Sequence, residues 1–231
     1  MITIEGLKKK YKKNLALNIQ NLNIKAGETI GLVGNNGSGK TTLFNLILDL
    51  IEPTEGKVYL KDYPVSASDE WKDFTGAYLD ENFLIDFLTP EEYFNFVGNL
   101  HGWNKLQVSE FVEKYLDFLG EGIIKDKKFI RELSKGNKSK VGIIAAIIGA
   151  PQLLILDEPF AHLDPTSQFK LKNILTEINR NQSTTLLVSC HNLKQVTDLC
   201  KRIVLIDKGV IKKDIKTSIE TLKELEVHFM E

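Results

Sequence analysis

The chain has 231 residues, which suits one large domain or a core that carries a subdomain. Its 30 basic and 31 acidic side chains nearly cancel, so composition gives no electrostatic case for binding nucleic acid or an anionic membrane surface. Cys190 and Cys200 have neither metal-ligand spacing nor a disulfide framework, which favours buried thiols in a reducing cytoplasm. The N-terminus lacks the apolar core of a signal peptide, and the longest apolar stretch, 141–150, is too short to span a bilayer. We therefore expect a soluble chain.

The first third of the chain has the alternation of apolar and polar residues that is typical of strands. This pattern predicts a strand over 15–24, and the apolar run 28–33 predicts a buried strand that ends at a glycine-rich loop. The strongly apolar segment 43–51 predicts a helix after that loop, and a further strand is predicted over 57–61.

Residues 89–150 have a different character. Thr89 is predicted to be an N-cap, with Pro90 at the first helical position and Glu92 completing a capping box. Apolar residues then recur at helical spacing, which predicts an inserted helical subdomain.

Strand character returns in the last third of the chain. Three short strands are predicted over 153–157, 184–189 and 203–206. Helical segments separate these strands, and such alternation predicts a largely parallel sheet flanked by helices. The last residues, 216–231, are predicted to form a short amphipathic helix.

A glycine-rich loop carries the most specific chemical signal. Residues 34–42 fit the pattern Gly-x4-Gly-Lys-Ser/Thr between a predicted strand and a predicted helix. Glycines let backbone N–H groups face phosphate oxygens, and the N-terminus of the following helix attracts negative charge. Lys40 would bind the β- and γ-phosphates, and Thr41 would ligate Mg²⁺. A loop that is merely flexible is disfavoured, because the strand, the glycines, the lysine, the threonine and the helix follow one another in the order that phosphate binding requires. The residues predicted to bind the nucleotide here are Gly34, Asn35, Asn36, Gly37, Ser38, Gly39, Lys40, Thr41 and Thr42.

Two acidic residues end the apolar strand predicted over 153–157. Asp157 would hold Mg²⁺ through its water shell, and Glu158 would position or polarise the attacking water. Alone, this pattern would favour a strand followed by a solvated acidic turn. Behind a phosphate loop it predicts the second half of an ATPase site, with ATP and Mg²⁺ as cofactors.

Further motifs resemble those of ABC ATPases, in the same order and spacing over essentially the whole chain. Residues 133–137, Leu-Ser-Lys-Gly-Asn, resemble the Leu-Ser-Gly-Gly-Gln signature of that family, and 159–164 resemble the loop after its catalytic glutamate. His191, at the end of a predicted strand, resembles the switch histidine. Tyr11 occupies the place of the aromatic residue that stacks on adenine.

Each of these residues also has a simpler interpretation. Ser134 could serve only as a helix N-cap, His191 as an ordinary polar residue at a strand end, and Tyr11 as a cover for part of the core. The resemblance implies instead that Ser134 and Gly136 meet the γ-phosphate, that His191 acts in catalysis with Glu158, and that Tyr11 contacts the base.

The sequence departs from the family pattern at four positions. Glu81 stands where the family places the glutamine that touches Mg²⁺, and a carboxylate can still ligate the ion or its water. It also adds negative charge beside the acidic pair. Lys135 and Asn137 replace the first glycine and the glutamine of the signature, and His162 replaces a small residue. With these changes we still expect the chain to hydrolyse ATP, and we make no prediction of the rate.

The resemblance implies a fold and a division of the chain. The fold is an α/β P-loop NTPase core with a mainly parallel sheet, an antiparallel β subdomain and an inserted helical subdomain. We expect one domain over 1–231, with the core and β subdomain in 1–88 and 151–215, the helical subdomain in 89–150 and a short helix in 216–231.

The resemblance also implies partners. The chain would pair head to tail with a second copy, each ATP lying between the phosphate loop of one chain and the signature of the other. With no membrane span of its own, it would act on a separate integral membrane permease, as a peripheral protein on the cytoplasmic face of the cell membrane. The aromatic stretch 71–87 is a candidate docking groove, although Phe74 and Tyr78 fit core packing equally well. Because the sequence ends soon after the core, we expect an exporter.

Two alternatives remain open from sequence. One is a soluble ATPase that moves nucleic acid or ribosomes, although the duplicated core, the coiled-coil insertion and the basic face common in such proteins are not seen in the sequence. The other is an ATP-sensing regulator, which Glu81 and the altered signature keep plausible. Co-purification with an integral membrane protein would favour transport over both.

Overall fold

Strands and helices alternate through the computed structural model of the chain, which describes residues 1–222 and Leu225. The strands are β1 (Ile2–Tyr11), β2 (Asn14–Ile24), β3 (Thr29–Val33), β4 (Glu55–Leu60), β5 (Tyr63–Pro64), β6 (Thr75–Tyr78), β7 (Leu153–Leu156), β8 (Thr185–Ser189), β9 (Arg202–Asp207) and β10 (Val210–Lys216). The α-helices are α1 (Lys40–Ile47), α2 (Pro90–Leu100), α3 (Lys105–Glu113), α4 (Leu116–Leu119), α5 (Glu121–Lys125), α6 (Lys135–Ile147), α7 (Pro165–Gln182) and α8 (Leu193–Leu199).

Two sheets organise the fold. The larger sheet has the strand order β10-β9-β3-β8-β7-β6, and its strands are parallel except for β10. Every residue of β3 and β7 is buried, which explains why these strands are continuous apolar runs rather than alternating ones. The smaller sheet, in the order β2-β1-β4-β5, is antiparallel. The predicted fold class is confirmed.

Helices cover both faces of the larger sheet. One hydrophobic cluster joins the antiparallel sheet, α1 and one face of β3, with Phe44 fully buried at its centre. The second cluster joins the opposite face to the helices that follow β6, with Phe94 and Phe118 buried in it. Because β8 pairs in parallel with both β3 and β7, the carboxyl ends of these three strands lie at one edge of the larger sheet. This is the edge at which open α/β sheets bind ligands.

The helical segment begins as predicted. The Thr89 side chain accepts the N–H of Glu92, and the Glu92 side chain accepts the N–H of Thr89, which completes the capping box. Its last helix, α6, packs on the sheet so closely that a Cβ at Gly76 of β6 would lie 1.9 Å from the Ala146 oxygen. α6 thus contacts both the larger sheet and the helix α2. The subdomain boundaries stay a prediction.

The end of the chain differs from expectation where it is described. The strand β10 runs to Lys216, and Thr221, Leu222 and Leu225 are helical, whereas half of the residues of the helix predicted over 216–231 lie outside the described residues. Among the helices in residues 1–222, none has the length and apolar character needed to cross a membrane.

Two contacts join the smaller sheet to the larger one. The guanidinium of Arg202 donates to the Asn23 oxygen at 2.8 Å, to Glu28 at 2.9 Å and through two nitrogens to Asp214, both at 2.7 Å. Asn23 lies in β2, whereas Arg202 begins β9. In addition, the N–H of Asn18 in β2 donates to the oxygen of the residue that turns β9 into β10.

Candidate functional site

The glycine-rich loop forms a tight cradle between β3 and α1. Gly37 and Gly39 have φ angles of 78° and 110°, in the left-handed region that favours glycine. A Cβ at Gly34 would lie 2.2 Å from the Ile206 oxygen, so only glycine allows this approach. The Ser38 hydroxyl is buried and has no hydrogen-bond partner within the described residues. Such a cradle fits a polyphosphate, whose oxygens accept from curled backbone N–H groups.

Lys40, the first residue of α1, points back over this loop. Its ammonium group donates to the Gly34 oxygen at 2.7 Å and to the Asn35 oxygen at 3.3 Å. The side chain is only 7% exposed and lies 4.0 Å from the Glu158 carboxylate. The structure thus holds one buried cation at the centre of the loop that the sequence predicts to bind phosphates.

A hydrogen-bonded chain connects the loop to the two acidic residues. Thr41 donates to one carboxylate oxygen of Asp157 at 2.7 Å, and Ser189 donates to the other oxygen. The Ser189 hydroxyl also accepts the N–H of Glu158 at 2.9 Å. Because β7 and β8 are neighbours, the residues at their carboxyl ends, Asp157, Glu158 and Ser189, come together at one point.

Glu158 is held in a strained and partly buried position. Its φ angle of 48° lies in the left-handed region, which is unfavourable for a residue with a side chain. One carboxylate oxygen accepts a hydrogen bond from the backbone N–H of His191 at 3.1 Å. The Nε2 atom of the His191 ring lies 3.1 Å from the other oxygen. Burial raises the pKa of Glu158, while attraction to His191 and Lys40 opposes that rise. A carboxyl group with a raised pKa suits a general base.

A cleft of about 300 Å³ adjoins these residues and contains the predicted metal ligands. Thr41, Glu81 and Asp157 line it together with Glu158 and His162. The atoms that could bind a metal ion are hydroxyl and carboxylate oxygens, the ligand type that Mg²⁺ prefers. Thr41 and Asp157 would hold the ion, with Glu81 across the cleft, and a bound Mg²⁺ would neutralise charge on the phosphates. These roles stay predictions.

The signature residues lie at the N-terminus of α6. The Ser134 side chain accepts the Asn137 N–H at 3.3 Å, so Ser134 is an N-cap, as its simpler interpretation proposed. A Cβ at Gly136 would lie 2.6 Å from the His162 oxygen, so glycine allows the loop after Glu158 to approach the helix. Ser134 and Gly136 do not line the cleft among the described residues.

Tyr11 ends β1 beside the turn into β2. Its side chain is 49% exposed, and the Lys9 ammonium lies 5.1 Å from its ring centroid. An exposed ring is free to stack on a base, and its contact with adenine stays a prediction.

Sequence reasoning missed the role of Ser189. The sequence predicts this residue only as the end of the strand 184–189, yet its hydroxyl bridges Asp157 and Glu158. The available signal was a polar residue, now seen to be fully buried, at the last position of an apolar strand. Such a residue requires hydrogen-bond partners, and the adjacent acidic strand end supplies them.

Comparison with known proteins identifies a family pattern over most of the chain. The sequence profile described as "ABC transporter" matches residues 17–161. The chain is 32% identical to the uncharacterized ABC transporter ATP-binding protein YdbJ of Bacillus subtilis, over 93% of this chain and 69% of that one. It is 30% identical to the methionine import ATP-binding protein MetN of Carboxydothermus hydrogenoformans, over 95% of this chain and 67% of that one.

A solved structure extends the likeness to three dimensions. The ATP-binding cassette MJ0796, a dimer in a post-hydrolysis state bound to ADP and phosphate, superposes with a TM-score of 0.83 at 25% identity. The superposition covers 94% of this chain and 99% of that one.

Proposed function

The chain belongs to the ABC transporter family and is an ATPase, and we propose that it powers a separate integral membrane permease as a head-to-tail pair with a second copy of itself. The observation that supports this most is the hydrogen-bonded chain from Thr41 through Asp157 and Ser189 to Glu158, beside the buried Lys40. This arrangement supports the proposal because the residues proposed to cradle the phosphates, to ligate the metal ion and to act as the base share one crevice.

Each side chain has a distinct part in the proposed hydrolysis. Lys40 and the N–H groups of the loop orient the phosphates, which leaves the terminal phosphorus open to in-line attack. Glu158 accepts a hydrogen bond from the attacking water and takes its proton. His191 holds the Glu158 carboxylate in place through the contacts at 3.1 Å. Ser189 fixes both acids relative to Thr41.

Ser134 and Gly136 do not line the cleft among the described residues, which supports the head-to-tail pair. Ser134 and Asn137 line a different surface pocket. A second copy turned head to tail would present its own α6 N-terminus, with free N–H groups and a positive dipole, to the phosphate. MJ0796 is dimeric, which is consistent with such a pair.

Single cysteines test this arrangement. One chain carries Asn36→Cys, an exposed loop position, and the other carries Asn137→Cys, which leaves the Ser134 cap intact. With Glu158→Gln in both chains to retain ATP, we expect a disulfide-linked pair of unlike chains with ATP and much less with ADP. The measurement is a non-reducing gel of differently tagged chains.

The native thiols and a third position provide the controls. Cys190 and Cys200 are buried, and burial raises the pKa of Cys190 to about 11 and that of Cys200 further, so both react slowly. Asn181→Cys, exposed near the end of α7, replaces Asn137→Cys in the control pair. Equal crosslinking of the Asn181 pair, or crosslinking unaffected by nucleotide, would contradict the composite site.

A groove between β6 and the helices α2 and α6 is the proposed permease surface. It has a volume of about 440 Å³, and its lining includes Phe83, Tyr93 and Val97. Phe83 is 59% exposed, whereas Trp71, Phe74 and Tyr78 of the same aromatic stretch are buried. Core packing therefore accounts for Phe74, whereas Trp71 and Tyr78 also form part of the groove wall. An exposed aromatic residue at an apolar groove is typical of a protein interface.

Phe83→Asp is expected to weaken binding of the chain to its permease roughly tenfold, the loss typical of an aromatic anchor. Leu106→Asp is the matched control, because Leu106 is 67% exposed on α3, away from this groove. Co-purification of the two proteins from detergent is the measurement. Equal loss in both variants would place docking elsewhere, and failure of the parent pair to co-purify would favour a non-transport ATPase.

The direction of transport is a separate question from coupling to a permease. Export stays a prediction from sequence, and the relatives include a protein whose name assigns it to methionine import. ATP-driven uptake into inside-out vesicles that contain the chain and its permease would support export.

A further inference from the structure

Two positions at which the sequence departs from the ABC pattern are in contact. The Lys135 ammonium lies 3.5 Å from a carboxylate oxygen of Glu81. Lys135 is the first residue of α6, and Glu81 begins a single turn of 3₁₀ helix after β6. The family pattern has neutral residues, glycine and glutamine, at these two positions. This chain has opposite charges instead, and the fold brings them together.

Glu81 also belongs to the metal-site cleft. It lines that cleft with Thr41, Asp157 and Glu158, and its side chain is only 21% exposed. A third carboxylate near two others is unfavourable unless a cation compensates it. Lys135 supplies a cation in contact with Glu81, in addition to Lys40 beside Glu158.

Lys135 lies at the helix N-terminus that would face the phosphate in the proposed pair. It stands between Ser134 and Gly136 at the N-terminus of a helix of 13 residues, and its side chain is 69% exposed. A lysine there adds three N–H donors and a full charge to the positive end of the helix. Head-to-tail pairing would bring this group to the γ-phosphate held by the other chain.

We propose that Lys135 binds the γ-phosphate of the nucleotide held by the partner chain, and that Glu81 of its own chain competes with this phosphate for the ammonium group. This inference rests on the proposed head-to-tail pair. When Lys135 engages the phosphate, the Glu81 carboxylate is released beside Thr41 and Asp157 of its own site. Nucleotide in one site thereby changes the charge balance of the other.

The strengths of the two contacts make this exchange feasible. A largely exposed lysine at 3.5 Å from a single carboxylate forms a weak, salt-screened pair. A terminal phosphate carries more charge and more acceptor oxygens than a carboxylate, so it competes well for the ammonium group. The terminal phosphate of ADP is the β-phosphate, which would lie deeper in the loop and out of reach of Lys135, so the exchange would distinguish ATP from ADP.

The test measures ATP-dependent dimerisation in the Glu158→Gln background by sedimentation. Lys135→Met should raise the dimer dissociation constant in ATP about 100-fold, the size expected for two charge-assisted hydrogen bonds, one at each of the two sites of the pair. Lys135→Arg should restore most of the loss. Glu81→Gln removes the competitor and should tighten the dimer. In the double variant, Glu81→Gln should have no further effect, because it acts through Lys135.

A second lysine–glutamate pair supplies the matched control. Lys8 and Glu55 are 2.5 Å apart in the antiparallel sheet, so Lys8→Met and Glu55→Gln remove the same charges elsewhere. Neither should change dimerisation.

The outcomes separate the two proposals. A parent dimer that forms with ATP and is unaffected by Lys135→Met would overturn the role of Lys135 alone. Tightening by Glu81→Gln that persists without Lys135 would show direct repulsion of phosphate and overturn the competition. A parent variant that forms no ATP-dependent dimer would overturn both this inference and the head-to-tail pair.

Discussion

Replacing Glu158 by glutamine is expected to lower ATP turnover by a factor on the order of 10²–10⁴ while ATP remains bound. Glutamine keeps the shape of the side chain, and its amide oxygen can still accept the His191 N–H. It cannot take a proton from water, so the attacking nucleophile is not activated. The bound nucleotide should therefore accumulate and hold the chains as an ATP-bound dimer.

The pH dependence gives a second measure of the same residue. Burial raises the pKa of Glu158, so turnover of the unaltered chain should fall as the pH drops through a value above the ordinary range of glutamic acid. The fall occurs because the protonated acid no longer accepts a proton from water. Glu158→Gln should lack this acidic limb.

Steady-state hydrolysis and nucleotide retention are measured side by side for Glu158→Gln. Glu121→Gln is the control, because Glu121 is exposed and pairs with Lys125 on α5, away from the site. If Glu158→Gln hydrolysed ATP at the normal rate, the proton acceptor would have to be another group, with His191 and Glu81 the nearest candidates.

Lys40→Ala is expected to weaken ATP binding by about 100-fold. It removes the two charge-assisted hydrogen bonds proposed to the β- and γ-phosphates, worth roughly 1.5 kcal/mol each. In the structure the ammonium group is buried and already held by the Gly34 and Asn35 oxygens. It therefore needs little reorganisation to reach the phosphates, and no other lysine among the described residues lies in the loop.

Binding is measured by titration calorimetry, and thermal unfolding confirms that the variant folds. Lys172→Ala, which removes a lysine paired with Asp198 at 3.0 Å, is the charge control. A folded Lys40→Ala chain that binds ATP as tightly as the parent would rule out the assignment of the phosphate loop.

The parts of the site that lie in one stretch of chain were predictable. The glycine loop between β3 and α1 follows from its residue order, because its glycines and Lys40 need no distant partner to be recognised. Asp157 and Glu158 were predictable from the apolar run before them. The positions of these residues agree with the predictions, and their roles await the experiments above.

The parts that depend on contacts between distant segments were not predictable. Glu81 and Lys135 were each noted as departures from the family pattern, but only the packing of α6 beside β6 shows that they pair. The strand β6 itself was missed, because its four residues, Thr-Gly-Ala-Tyr, have neither alternation nor an apolar run. Its pairing with β7 determines its conformation.

The Arg202 contacts determine how movement can spread through the molecule. A planar guanidinium bound to β2 on one side and to β10 on the other resists sliding of the two sheets past each other. The hydrogen bond from the β9–β10 turn to the Ser38 oxygen attaches the phosphate loop to the same rigid unit. We therefore expect a force applied at the groove beside β6 to move the two sheets and the phosphate loop together, with little shear between the sheets.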